Sequence, residues 1–85
     1  MARKYRDDGN ARFKFYVQDD TNLAELLRRI VNRLASRTQV EVYLETTPAV
    51  SDQAGYIRDF IVAKIDELIR GHQLPANSLK RLTFI

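Results

Sequence analysis

The chain has 85 residues, is 45% hydrophobic and 29% charged, carries a formal net charge of +3 and contains no cysteine. That length suits one small globular domain over residues 1–85; its hydrophobic share excludes a disordered chain, and the missing cysteines exclude a disulfide framework and thiolate metal ligation. No apolar run approaches the roughly 20 residues of a membrane span and the start, MARKYRDDGN, lacks the apolar centre of a secretory signal, so the expected location is cytoplasmic.

Within the first ten residues, DDGN is a turn signal: Gly9 and Asn10 tolerate positive φ and the aspartates bond their own backbone. Residues 3–6 are therefore expected either to fold back as a short edge strand or to belong to a loose arm over residues 1–10. ARFKFYV then alternates, with Phe13, Phe15 and Val17 on one side and Arg12, Lys14 and Tyr16 on the other, which is the period of a half-buried strand. QDDTN supplies helix caps: Asn22 and Glu25 have capping-box spacing, and Asp19 and Asp20 suit the positive end of a helix dipole. The apolar residues Leu23, Leu26, Leu27, Ile30, Val31 and Leu34 form one stripe, predicting an amphipathic helix over Thr21–Ser36.

TQVEVYLET alternates again, with Val40, Val42 and Leu44 opposed to Gln39, Glu41, Tyr43 and Glu45. In TTPAVSDQAG, Thr47 followed by Pro48 and, further on, Ser51 both qualify as starts of a second helix. It runs to Arg70, with Gly71 as its natural C′ residue. Its inner stripe is Ala54, Ile57, Ile61, Ile65 and Leu68, flanked by Tyr56 and Phe60. After the HQLPANS loop, LKRLTFI is a last strand with Leu82 and Phe84 inward. The order (β)βαβαβ predicts an α+β two-layer sandwich, with a three- or four-stranded sheet and both amphipathic helices on one face. The first strand–helix–strand unit is expected to be parallel and right-handed; the loop over residues 72–78 leaves both directions open for the last strand.

Catalytic chemistry has little to work with. The sole histidine, His72, follows a helix end and reads as a solvated residue favoured by the helix dipole. Ser36, Ser51 and Ser78 are helix-end or loop residues, local turn chemistry accounts for Asp7–Asp8 and Asp19–Asp20, and Gly9, Gly55 and Gly71 are too isolated for a phosphate loop. The expectation is a protein that is not an enzyme, with no cofactor, metal or small-molecule substrate.

Binding surfaces are better marked. Arg3, Lys4, Arg6, Arg12, Lys14, Arg28, Arg29, Arg33 and Arg37 crowd the first half, whereas residues 41–67 lean acidic. On the first helix Arg29, Arg33 and Arg37 form a ridge at i, i+4, i+8, beside a second ridge of Arg28, Asn32 and Ser36. Like charges at this spacing destabilise a helix by roughly 0.2–0.5 kcal/mol per pair; Glu25 relieves Arg28 or Arg29, but nothing on the helix relieves Arg33 or Arg37. Either the second helix, through Asp52, Asp59, Asp66 and Glu67, supplies the missing charge, or another molecule does. Arg28, Arg29, Asn32, Arg33 and Arg37 are thus the first candidate site, for nucleic acid or an acidic protein. The second is the open sheet face, with Arg12, Lys14, Tyr16, Tyr43 and Arg81, where rings and cations together suit single-stranded RNA, although Glu41 and Glu45 share that face and cross-strand pairing accounts for much of it. Val62 and Ile69, a heptad apart and off the inner stripe, are the expected contacts of a homodimer. The leading expectation is a small binding module that associates with nucleic acid through the arginine-rich helix and the basic N-terminal arm. The alternatives are an inhibitor or adaptor docking on an acidic protein, and a self-assembling structural subunit.

Overall fold

A computed structural model describes residues 11–85. In chain order the elements are β1 (Arg12–Val17), α1 (Leu23–Ala35), β2 (Val40–Thr46), a 3-10 turn (Pro48–Gln53), α2 (Ala54–Arg70) and β3 (Leu79–Phe84). The strands form one three-stranded sheet in the order β1-β2-β3, and both pairings are parallel. The direction of the last strand, open from the sequence, is therefore parallel. The edge strand expected over residues 3–6 and the basic N-terminal arm lie outside the described residues.

Each element follows from its residues. In β1 the alternation holds: Phe15 and Val17 are buried, Phe13 is half-buried, and Arg12, Lys14 and Tyr16 are exposed. The Asn22 side chain accepts a hydrogen bond from the Glu25 N–H at 3.1 Å and so caps α1. The helix begins at Leu23, two residues later than the stripe suggests, because Thr21 closes the preceding turn: its hydroxyl accepts from the Gln18 N–H at 2.7 Å. Leu26, Ile30 and Leu34 are its buried stripe. Thr47 and Pro48 open the 3-10 turn rather than α2 itself, and the Ser51 hydroxyl donates to the Pro48 carbonyl at 3.1 Å within that turn. Helix α2 buries Ile57, Ile61 and Ile65, while Tyr56, expected beside that stripe, is 69% exposed.

The helix stripes, Phe15, Val17, the fully buried Val40, Val42 and Leu44 of β2, and Leu82 of β3 belong to one core cluster. Between β2 and β3 the register shifts, so that Val40 faces Leu79 and Glu41 faces Arg81, leaving Lys80 without a residue opposite.

The end of α2 departs from expectation in one respect. Gly71 keeps a negative φ of −85°, and the left-handed position passes to His72, at φ 63°. The His72 N–H donates to the Ile69 carbonyl at 3.0 Å and the Gln73 N–H to that of Leu68 at 2.8 Å, which are the two bonds of a Schellman motif displaced by one residue. A side chain in the left-handed region costs about 1 kcal/mol or more, partly offset by the greater freedom of an unfolded glycine. His72→Gly is therefore expected to stabilise the fold by roughly 0.5–1 kcal/mol, read as a higher urea midpoint at unchanged slope.

Candidate functional site

The arginines of α1 divide into two groups. Arg28 is neutralised within the helix: its Nε donates to Glu25 Oε1 at 3.3 Å and its Nη2 to the other carboxylate oxygen. That hydrogen bond holds the Glu25 carboxyl below the usual carboxylate range and raises Arg28. Arg29, Arg33 and Arg37 have no carboxylate within ion-pair distance among the described residues. They face rings instead. The Arg29 guanidinium lies 5.6 Å from the centre of Phe15, and those of Arg33 and Arg37 lie 4.7 and 5.4 Å from the centre of Phe13.

Helix geometry explains why the second helix cannot serve them. Around the buried stripe of Leu26, Ile30 and Leu34, the ridge of Arg29 and Arg33 falls on one flank and Leu27 and Val31 on the other. The arginine flank is the one over β1, an outer strand of the described sheet. On α2 the acidic groups are engaged locally, Asp59 with Arg58 at 3.8 Å and Asp66 with Arg70 at 3.2 Å. Both alternatives drawn from the sequence thus omitted what the fold supplies, an aromatic platform. Stacked guanidinium faces leave the N–H edges directed outward, and each exposed cation–ring contact stabilises by about 0.5–1 kcal/mol. Phe15, Arg29, Asn32 and Arg33 line a cleft of about 310 Å³ on this flank. Phe13 and Phe15 are the site residues that sequence reasoning placed only in the core; their sequence signal was an aromatic strand leading straight into the helix that carries the ridge.

The opposite sheet face carries Arg12, Lys14, Tyr16, Tyr43 and Arg81, as the alternation requires. Much of it is paired internally. Lys14 Nζ donates to Glu45 Oε1 at 3.2 Å, which raises the lysine, and lies 5.4 Å from the Tyr16 ring centre. Glu41, with a side chain only 10% exposed, sits 3.5 Å from Arg12 Nε and 3.6 Å from Lys80 Nζ and accepts the Tyr43 hydroxyl. The Tyr43 hydrogen bond is the main reason the Glu41 carboxyl is held low; the nearby cations add to it, against a desolvation cost. Tyr43 stands opposite Lys14 and Tyr16 opposite Glu45, so the two tyrosines are diagonal rather than direct neighbours. Tyr16 alone keeps a free ring, 61% exposed.

Val62 and Ile69 are half-buried and pack against the core cluster of their own chain. His72 is exposed in the turn after α2. Among the described residues no group of three or more His, Cys, Asp or Glu side chains gathers as metal ligands, and no helix is long and apolar enough to cross a membrane. Comparison with protein-family models, curated proteins and solved structures gives no match.

Proposed function

We propose that this chain is a small cytoplasmic binding module, without catalytic activity, that associates with nucleic acid through the outer flank of α1. The observation that carries the reading is the set of three guanidiniums, Arg29, Arg33 and Arg37, stacked on Phe13 and Phe15 with no carboxylate nearby among the described residues. Stacking fixes their planes and reduces the side-chain entropy lost on binding. Phosphate oxygens accept from the N–H edges of an arginine fork in a bidentate way, and Asn32, on the same cleft, adds a neutral donor and acceptor. Arg28 drops out of the site because Glu25 occupies it. The reading assumes a two-layer sandwich, with both helices on one face of the sheet. It is supported by the single core cluster that unites both helix stripes with the inner residues of the strands, and by the exposure of Arg12, Lys14 and Tyr16 on the other side.

Fluorescence anisotropy with labelled oligonucleotides across a salt series tests the reading. Three guanidinium–phosphate contacts predict that log K falls against log salt with a slope of about −2 to −3. A flat slope, or no binding of DNA or RNA at low salt, refutes it. Capture of a lysate partner that survives nuclease and is lost on Arg33→Glu would transfer the same surface to an acidic protein.

A further inference from the structure

We infer that the nucleic acid taken by this chain is a single strand, whose phosphates lie on the α1 arginines while one of its bases stacks on Tyr16 across β1; this rests on the reading just given. Successive residues of a strand point to opposite faces. In β1, Phe13 and Phe15 face α1 and carry the stacked guanidiniums, whereas Arg12, Lys14 and Tyr16 face the other way. One outer strand of the described sheet thus has cations on both of its faces, with an exposed aromatic ring near its C-terminal end.

The opposite face is not neutral. Arg12, Lys14, Lys80 and Arg81 outnumber Glu41 and Glu45, and Arg81 has no carboxylate within ion-pair distance among the described residues. Its partner must therefore also be an anion. A duplex is stiff, with a persistence length of about 50 nm, and cannot turn around a single β-strand to touch both faces. A single strand bends at every nucleotide and exposes its bases to stack on rings. Tyr16 differs from Tyr43 in what it offers: Tyr43 is half-buried and bonded to Glu41, while the Tyr16 ring is open and has the Lys14 ammonium beside it.

The test compares a labelled oligothymidylate with a blunt duplex of equal length, at low salt, for the wild-type chain, Tyr16→Ala and Tyr56→Ala. Tyr56 is equally exposed but belongs to α2 and serves as the control. The expected result is tighter binding of the single strand, a loss of about 10-fold in its affinity on Tyr16→Ala and no loss on Tyr56→Ala. The chain contains no tryptophan, so Tyr16→Trp adds a single fluorophore, whose emission should be quenched by the oligothymidylate and not by the duplex. Equal or tighter duplex binding, or unchanged affinity on Tyr16→Ala with no quenching at Tyr16→Trp, overturns this inference and leaves the arginine reading standing. If neither nucleic acid binds the wild-type chain, both fall together.

Discussion

Leu44→Ala is expected to lower the unfolding free energy by about 3–5 kcal/mol, the upper part of the range for emptying a fully buried leucine site. Leu44 is 0% exposed and sits on β2, the middle strand, between Phe15 of β1 and Phe84 of β3 in register. Its neighbours come from both crossovers, so no single element can shift to close the cavity without disturbing the other. The loss also meets a small reserve. A domain of this size has roughly 5–15 kcal/mol in all, and one this small buries only about 60–65% of the surface its unfolded chain exposes. Urea denaturation followed by circular dichroism should show a large fall in midpoint at unchanged slope. The half-buried Leu27, on the flank of α1, provides the comparison: Leu27→Ala should cost clearly less. Equal losses at the two positions would mean that the core is not centred on the middle strand.

Most of this frame was legible in the sequence because two periods carry it. The alternation of Phe13, Phe15 and Val17 and of Val40, Val42 and Leu44 fixes which side of each strand is inward. The stripe of Leu26, Ile30 and Leu34, with Asn22 before it, fixes the first helix and its buried face. The direction of β3 was not legible, since a loop over residues 72–78 can return a strand either way and no local residue decides between them. The left-handed residue at the end of α2 was misplaced by one, because Gly71 satisfies the composition rule while the hydrogen bonds put that conformation on His72. The site was legible only as a list of arginines. Sequence spacing identifies like charges along one helix face but says nothing of what lies across from them. That depends on α1 packing over β1, which brings Phe13, ten residues before the start of α1, beneath Arg33 and Arg37. The choice between a neighbouring carboxylate and an outside molecule was thus too narrow, since a ring can hold a guanidinium in place without cancelling its charge.

That distinction sets the second large effect. The double charge reversal Arg33→Glu, Arg37→Glu is expected to weaken nucleic-acid binding at low salt by about 100-fold and to make the salt slope shallower by roughly 2. Two phosphate contacts vanish and two repulsive charges replace them. Stability should change little, by about 1 kcal/mol or less, because both residues are exposed and have no ion pair among the described residues to lose. Arg33→Lys, Arg37→Lys keeps the charge and loses the planar fork, so it should retain most of the salt slope with weaker affinity. Phe13→Leu separates platform from charge in the other direction: the inner face of β1 stays apolar, the guanidiniums lose the ring that orients them, and affinity should fall several-fold at nearly constant slope. The competing role for these arginines is to shield Phe13, which is half-buried, from water. It makes the opposite forecast, with the charge reversal lowering the urea midpoint substantially and leaving binding intact. Measuring stability and affinity on the same three variants decides whether Phe13 serves the arginines or the arginines serve Phe13.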